Sequence, residues 1–493
     1  MTSPGHHNSP LAFRGRAVVI PLLLVAISWF ATIRILWNDW RIDPQYSYGI
    51  LVPLLVIGLL MKRWEDRPAA AFPGRSERTL AGITMLLSAV LLALLIPVAE
   101  ANPDWRPLGG AAALVTVLLS LSLILMLWGM TWLRHFWFPI AFFLIAVPWT
   151  RNVEVSVMSF LMSWNTGTTL EILHWCGYEA LRQGNLIAIP SGILGIEEAC
   201  SGIRSLQSGL MVALFFGEIF RLRPTRRLLL LLIAVGASLI GNIARSSVLA
   251  IVASRQGIAD VASWHDPAGI LVLLLTVGSV LCAAFLWRET KSTASARASG
   301  LQGGISRSGT STLIQSLSVL LLLISLIGTE SWFLSHETQQ VSVRDWSLRQ
   351  RSGEDGVFPV TVSPKTLRML FYPEGFSERW MKVDGERGQV FYFRWPAGRT
   401  SVQAVSMHNP EVCLSSIGMH LVKPLPPVRF EASGVTIPFK AWIFEQKGTP
   451  VYVFNTLLED GRVEGGMEET DDSPKGRLQS LLSGRRNQGQ RML

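Results

Sequence analysis

The sequence predicts a mainly α protein: a polytopic transmembrane helical bundle of about eight core spans plus a ninth, with a small α+β extracytoplasmic domain. Three observations predict this fold class. Of the 493 residues, 49% are hydrophobic and only 16% are charged. Apolar runs of about 20 residues, the length that lets a helix cross a bilayer, recur through much of the chain. After the last of them, short segments rich in aromatic and β-branched residues are typical of strands.

The predicted spans begin with an apolar run that follows a polar N-terminus, residues 1–16. This run has no small-residue cleavage site, so we expect it to be a retained span and not a signal peptide. The second and fifth spans are short. In order, the predicted spans are 17–37, 46–61, 79–97, 108–128, 133–147, 201–220, 228–248, 267–287 and 313–334.

Lys and Arg in the short loops set the predicted orientation, since these residues favour the cytoplasmic side. With a cytoplasmic N-terminus, the inner loops carry most of them, including Lys62, Arg63, Arg67, Arg75, Arg78, Arg221, Arg223, Arg226, Arg227, Arg288 and Lys291. The net charge of +9 therefore reflects mostly the basic residues that set the orientation of the chain in the membrane. A nucleic-acid partner is not expected, because the basic residues do not cluster on one folded domain. Membrane lipids are the expected surroundings.

Five segments describe the predicted organisation. The transmembrane core is 1–291, and the ninth helix is 312–335. Between them, 292–311 is rich in Ser, Gly and Ala and predicts a flexible linker. Residues 336–470 predict the α+β domain, with strands expected at 389–395, 401–407, 438–445 and 450–457. Residues 471–493 are polar and charged, which predicts a disordered tail.

The stretch 152–200 is too polar to be an ordinary span. It predicts an amphipathic helix on the outer surface, followed by a hairpin-like piece at 184–195. An ordinary long loop is the alternative. Because loops of this length in compact proteins tend to be functional, we expect this region to carry chemistry.

The chain has four cysteines, and they form neither a CxxC pair nor a zinc pattern: Cys176, Cys200, Cys282 and Cys413. No metal or cofactor is expected.

Cys200 lies at the predicted N-terminal end of a span, where unpaired N–H groups and the helix dipole favour a reactive thiolate. Arg204, one helical turn after Cys200, would stabilise the thiolate by its positive charge. The negative charge of Glu198 would oppose this effect unless Glu198 pairs with an arginine. A structural cysteine, or a disulfide to Cys176, is the alternative.

Two further polar features fall at the same predicted membrane level. Asn242 and Arg245 lie one turn apart near the outer end of the seventh span, and an ionisable residue at membrane depth is a functional candidate. The alternative is an arginine that snorkels to lipid headgroups. His265 precedes the eighth span, is suited to general-base chemistry and is followed by Asp266. A helix-entry residue is the alternative for His265.

Together these residue types predict nucleophilic catalysis on a peptide bond at the outer membrane face. Cys200 would attack the scissile carbonyl and form a thioester. His265 would take the thiol proton and return a proton to the leaving amine. Arg245 would donate hydrogen bonds to the developing oxyanion, and water or an acceptor amine would resolve the acyl-enzyme.

At these positions the sequence resembles the exosortase/archaeosortase family. The resemblance is carried by the segment EACSGIRSL at 198–206, by Arg245 with Asn242 three residues before it, and by His265. It implies a cysteine transpeptidase of a bacterial inner membrane that recognises a C-terminal PEP-CTERM-type sorting signal, cleaves near its motif and passes the protein to an unidentified acceptor. It also implies a link to exopolysaccharide-producing cells, with a cytoplasmic N-terminus and a periplasmic C-terminal domain.

The C-terminal domain has a resemblance of its own. The segment HNPEVCL at 408–414 is similar to the H-x-P-E-x-C segment of the exosortase-associated domain, here fused to the core. His408 and Cys413 form either a second reactive pair or a turn held by Pro410, and we favour the turn.

Two other functions compete with cysteine chemistry. The first is an exopolysaccharide export or assembly membrane protein without peptidase chemistry, although no inverted repeat supports a transporter. The second is a serine-type intramembrane protease with Ser201 or Ser246 as nucleophile, although a G-x-S-x-G elbow is absent.

Overall fold

The structure is a computed structural model that describes most of the transmembrane core and parts of the C-terminal domain. In the core and ninth helix it describes residues 10–69, 71–195, 202–288 and 309–337. In the C-terminal region it describes 348–351, 353–354, 356–361, 374–382, 385–398, 410–411, 414, 419–432, 435–446, 448–459, 473–486 and 489–493. The predicted linker, 292–311, lies mostly outside the described residues.

The predicted helical fold class is confirmed. The helices are α1 Pro10–Ile42, α2 Val52–Trp64, α3 Arg75–Ala101, α4 Arg106–Ala141, α5 Arg151–Trp175, α6 Ile203–Ile219, α7 Pro224–Gln256, α8 Ile258–Leu286, α9 Gly309–Glu337 and α10 Pro474–Leu482. Within the described residues, 6 of them are long and apolar enough to cross a membrane. The chain is therefore an integral membrane protein. The exact number of crossings stays a prediction.

The predicted fourth span lies within α4, and the predicted fifth runs from the last part of α4 through a 3-10 helix, Phe142–Ala146; α4 itself is broken at Gly129. This glycine has φ +79° and ψ −176°, a conformation that other residues rarely adopt. After the break the chain folds back on itself: a Cβ at Gly110 would lie 3.4 Å from Val147, and Ala113 shares a buried cluster with Phe143. The two halves of α4 therefore run antiparallel.

Ion pairs tie the helices together at both ends of the bundle. At one end, Glu218 of α6 pairs with Arg63 of α2 and with Arg227 of α7. At the other, Arg106 of α4 pairs with Asp43, just after α1, and with Glu154 of α5. Because a buried charge is tolerated only when it is paired, these networks fix which helix ends meet. We call the two ends the Glu218 end and the Glu154 end.

α7 is longer than a bilayer requires. Its 33 residues span about 50 Å, against about 30 Å of hydrocarbon. An upright α7 would therefore be about 20 Å longer than the hydrocarbon layer, and we call its C-terminal part, at the Glu154 end, the extension. The polar stretch predicted to be a helix forms α5, which packs lengthwise against this extension: Asn165 Nδ2 donates to Ser246 Oγ at 2.7 Å, and Leu173 packs with Ala250 and Ala253.

A small antiparallel sheet follows α5. The strands β1 Leu181–Gln183, β2 Leu186–Ile189 and β3 Gly192–Gly195 form a meander. Ile187 and Ile189 bury their side chains in the same cluster as Ala253 of α7, and Ser191 Oγ donates to the Ala253 carbonyl at 2.7 Å. The predicted hairpin-like piece is thus present, with one strand more than expected, and it rests on the end of α7.

The described residues of the C-terminal region form two antiparallel sheets. Strands β4 Val357–Pro359, β5 Glu374–Met381, β6 Arg387–Trp395, β10 Leu457–Glu459 and β11 Gln490–Met492 form one sheet in the order β10-β11-β6-β5-β4, and β7 His420–Ala432, β8 Val435–Gln446 and β9 Thr449–Asn455 form the other. The predicted strands at 389–395, 438–445 and 450–457 match β6, β8 and β9. The strand predicted at 401–407 lies outside the described residues.

The prediction of a disordered tail at 471–493 is wrong for residues 473–486 and 489–493, which we call the C-terminal strap. Ser473 Oγ caps α10 by accepting a hydrogen bond from the Gly476 amide at 3.1 Å. β11 then lies between β10 and β6. The charged residues of the strap have partners in the membrane helices and in the connection between α3 and α4. The carboxylates of Glu330, Glu337 and Glu100 surround Arg486, and Arg477 pairs with Asp104.

Candidate active site

The predicted site residues fall into two groups. Cys200 and Glu198 lie outside the described residues, as do His408 and Cys413 of the second pair. The structure places Arg204, Asn242, Arg245, His265 and Asp266. The site is therefore built from the first described residue after Cys200 and from the contacts between α6, α7 and α8.

Gly202, the first described residue of α6's N-terminal turn, lies against α7. It is the N-cap of α6 and has φ +81°, which favours glycine. A Cβ at this position would lie 2.9 Å from Asn242 Cγ and 3.0 Å from its Nδ2. The backbone two residues after Cys200 therefore passes directly over the Asn242 side chain, one helical turn from Arg245.

Arg245 of α7 reaches across to His265 of α8. Its Nη2 lies 3.0 Å from His265 Nε2 and donates to the His265 carbonyl at 3.2 Å. Gly269, one turn further along α8, provides the space, because a Cβ there would lie 3.3 Å from the guanidinium carbon and from Nη2. The structure thus brings together the cation and the imidazole that the sequence singled out.

The hydrogen bonds of His265 assign its tautomer. A guanidinium has N–H donors and no acceptor, so His265 Nε2 must supply the lone pair in its contact with Arg245. The proton of the neutral ring is then on Nδ1, which donates to Asp266 Oδ1 at 2.8 Å. The imidazole is thus held between a cation and a carboxylate, with Nε2 as its basic atom.

This geometry lies within the span of a known family. The family model described as transmembrane exosortase (Exosortase_EpsH) matches residues 37–286, from α1 to the end of α8. The chain belongs to the transmembrane exosortase family. In general terms, this membership implies a membrane transpeptidase or cysteine peptidase that sorts proteins. No curated protein and no solved structure matches the chain.

Within this exosortase core, a single turn of α7 contacts three other elements. Asn242 meets Gly202 at the start of α6, Arg245 meets His265 of α8, and Ser246 accepts a hydrogen bond from Asn165 of α5. One turn deeper, Ser238 Oγ donates to Ser205 Oγ of α6 at 2.8 Å. This turn fixes the relative positions of the candidate groups.

The exosortase core also buries polar residues outside the predicted cysteine site, among them Ser246, the candidate nucleophile of the serine-type alternative. Asn165 and Thr169 of α5 are 2% and 0% exposed, and Ser246 and Ser247 of α7 are 4% and 6% exposed. These residues form a polar seam between α5 and α7. The polar composition of 152–200 and the serines after Arg245 indicate such a seam from the sequence. Which of these residues face one another depends on how α5 and α7 are rotated about their axes, and only the structure shows that.

Three other positions of this exosortase were candidates in the sequence or resemble one: Arg204, Cys176 and Cys282. Arg204 is the second residue of α6 and is exposed, and within the described residues no hydrogen bond joins it to Arg245 or His265. Cys176, at the end of α5, and Cys282, on α8, are free, exposed thiols. The structure therefore gives no support to a disulfide at Cys176.

Among the described side chains, no group of three or more His, Cys, Asp or Glu is arranged to hold a metal ion.

Proposed function

We propose that the chain is a membrane cysteine transpeptidase or protease that cleaves a C-terminal PEP-CTERM-type sorting signal of exported proteins through a thioester. The observation that carries the proposal is the Arg245–His265 contact, one turn from the contact between Asn242 and Gly202, which follows Cys200 by two residues in the sequence. This contact supports a base and a cation acting together, and the proposal adds the Cys200 thiol as their nucleophile.

The proposed chemistry assigns each group one role. The Cys200 sulfur attacks the scissile carbonyl carbon while His265 Nε2 takes the thiol proton. Arg245 donates hydrogen bonds to the oxyanion that forms. The C–N bond then breaks, the imidazolium returns its proton to the leaving amine, and the thioester remains. An acceptor amine or water attacks the thioester and releases the Cys200 thiol.

Asp266 supports this cycle by accepting the Nδ1–H of His265 at 2.8 Å. This bond keeps the basic lone pair on Nε2, and it stabilises the imidazolium once Nε2 is protonated. Asp266 itself stays ionised. It is 87% exposed, so its effect on the reaction is smaller than that of a buried carboxylate.

The depth of the site suits a substrate anchored in the same bilayer. Residues 224 to 245 of α7 span about 31 Å, so Arg245 reaches the edge of an approximately 30 Å hydrocarbon layer. Combined with the Lys and Arg distribution, this depth supports a reaction at the periplasmic face of a bacterial inner membrane. The N-terminus would then be cytoplasmic and the fused domain periplasmic, in a cell envelope that produces exopolysaccharide.

The nucleophile is tested by replacing Cys200 with Ala and following the size of a tagged substrate that carries a C-terminal sorting signal. The matched controls are Cys176→Ala and Cys282→Ala, since both thiols are free and exposed in the same core. We expect the precursor to accumulate uncut only with Cys200→Ala. Normal processing by this variant would exclude the mechanism and favour an export or assembly role.

A further inference from the structure

The Arg245–His265 contact has a chemical consequence for the proposed base. The lone pair of His265 Nε2 is the atom that must receive the Cys200 proton, yet a guanidinium N–H lies 3.0 Å from it. Nε2 cannot bind the thiol proton while it accepts this hydrogen bond. In the described geometry the base is therefore occupied by the cation that is meant to assist it.

The surroundings hold the guanidinium in this position. Nη2 also donates to the His265 carbonyl at 3.2 Å, and Gly269 leaves room for the guanidinium beside α8. On the far side of the ring, Nδ1 is engaged by Asp266 at 2.8 Å. Both ring nitrogens are thus in use, so rotating the ring cannot free the base without breaking a hydrogen bond.

We propose that Arg245 is a substrate-operated cap: without substrate its N–H group occupies His265 Nε2, and the scissile carbonyl oxygen draws it away as the bond is attacked. This inference rests on the proposed function, because it takes Cys200 as the nucleophile and His265 as the base. It adds that the base is released only where its substrate is bound.

The exchange is favourable because the second acceptor is stronger. The guanidinium is charged in both contacts, so the gain comes from the acceptor: the lone pair of a neutral imidazole gives way to an oxygen that gains negative charge during attack and attracts the cation more strongly. The thiol proton moves to the vacated Nε2, and Nδ1–H stays on Asp266. One displacement of Arg245 therefore frees the base and supplies the oxyanion donor.

The cap and direct stabilisation of the thiolate by Arg245 predict opposite changes in thiol reactivity when Arg245 is removed. If Arg245 only stabilised the Cys200 thiolate by its positive charge, removing it would make the thiol less reactive. If Arg245 caps the base, removing it frees Nε2 and makes the thiol more reactive, although cleavage is lost with the oxyanion donor. The resting enzyme would be protected from alkylation and oxidation until substrate arrives.

The first experiment measures the rate of alkylation of Cys200 by iodoacetamide near neutral pH, in full-length protein without substrate. Cys176, Cys282 and Cys413 are replaced by Ser so that a single thiol remains. We expect Arg245→Met to react about fivefold faster than the parent protein, the factor for a net hydrogen bond of about 1 kcal/mol. Adding His265→Ala should abolish the gain. The matched control is Arg255→Met on the same helix, where the guanidinium bonds to Tyr178, and its rate should be unchanged.

A second measurement does not depend on Cys200. Diethyl pyrocarbonate acylates an imidazole through a free lone pair, so His265 should be modified faster in Arg245→Met than in the parent, both carrying Cys200→Ala. Mass spectrometry of the peptides reads the extent of modification, with His174 as the internal standard. Size-exclusion profiles and helical circular dichroism check that each variant is folded.

The two hypotheses fail separately. If Cys200→Ala still cleaves substrate, the proposed function fails. If Cys200→Ala blocks cleavage, the proposed function stands. If Arg245→Met then increases neither the rate of Cys200 alkylation nor the rate of His265 acylation, only the cap fails. A slower alkylation in Arg245→Met would show that the arginine supports the thiolate directly and would overturn the cap.

Discussion

Arg486 of the C-terminal strap forms a salt bridge of 2.9 Å with Glu330 of α9, 156 residues earlier in the chain. The same guanidinium lies 2.6 Å from Glu337 and 3.1 Å from Glu100 of α3. A single cation thus joins three carboxylates from two membrane helices. Because β11 of the strap continues into the larger sheet, this cluster attaches that sheet to the helical core.

We predict that Arg486→Gln weakens this attachment. The buried carboxylate of Glu100 would keep Arg34 at 3.1 Å but lose its second cation. Breaking a fully buried pair costs about 3–5 kcal/mol. We expect about 2 kcal/mol here, since Glu330 and Glu337 are partly exposed. Denaturant unfolding of the detergent-solubilised protein measures the loss, and protease cleavage before the strap should increase. The control is Arg485→Gln, where the guanidinium bonds to Ser483; equal behaviour of the two variants would refute the attachment.

The strap also shows what the sequence could not predict. Apolar runs predicted the membrane helices because hydropathy is a local property, and aromatic segments predicted β6, β8 and β9 for the same reason. The strap has no such run, and its composition is typical of disorder. Its order comes from partners such as Asp104 and Glu100, hundreds of residues away. Pairing at that separation leaves no periodicity in the sequence.

The glycine beside the guanidinium gives a second prediction. A methyl group at Gly269 would lie 3.3 Å from the Arg245 guanidinium and displace it by a few tenths of an ångström. Since small displacements in a catalytic site are costly, Gly269→Ala should lower the cleavage rate about tenfold. Gly278→Ala lies on the same helix with open space around it, and it should cleave normally. Rates of substrate processing by the purified variants compare the two, and equal rates would contradict the prediction.

A third prediction concerns the turn after Cys200. Gly202→Ala combines an unfavourable φ of +81° with a clash against Asn242 at 2.9 Å. We expect it to cost about 1–3 kcal/mol of stability through backbone strain and to abolish most of the activity. Gly257→Ala has a comparable positive φ but nothing within 4 Å, so it should lose stability alone. Thermal unfolding and cleavage assays separate the two effects. Retained activity in Gly202→Ala would mean that the contact with Asn242 does not position the cysteine segment.

The polar seam gives a fourth prediction. Asn165→Leu removes the 2.7 Å hydrogen bond to Ser246, a net contribution of about 1 kcal/mol. Because Ser246 follows Arg245 directly, we expect kcat to fall about tenfold while KM is unchanged. Thr168→Val is the control, since that hydroxyl bonds to a carbonyl of its own helix. A rise in KM at constant kcat would instead place Asn165 in substrate binding.

The site itself was only partly predictable. Arg245 and His265 are residue types that are costly near a membrane, so the sequence singled them out individually. Their contact depends on how α7 and α8 are rotated and on the space at Gly269. The sequence carries no direct signal for that rotation. The same holds for Asn165, where polarity was visible but its partner on α7 was not.

The length of α7 has a consequence for which proteins could be processed. If Arg245 stands about 31 Å from residue 224, at the border of the hydrocarbon layer, the peptide bond to be cut must emerge at that height. Each extra residue between a substrate's motif and its apolar anchor would raise that bond by about 1.5 Å in a helix or 3.3 Å in an extended chain. The enzyme would then act as a gauge of spacer length, and proteins with a matching motif on a longer stalk would escape cleavage.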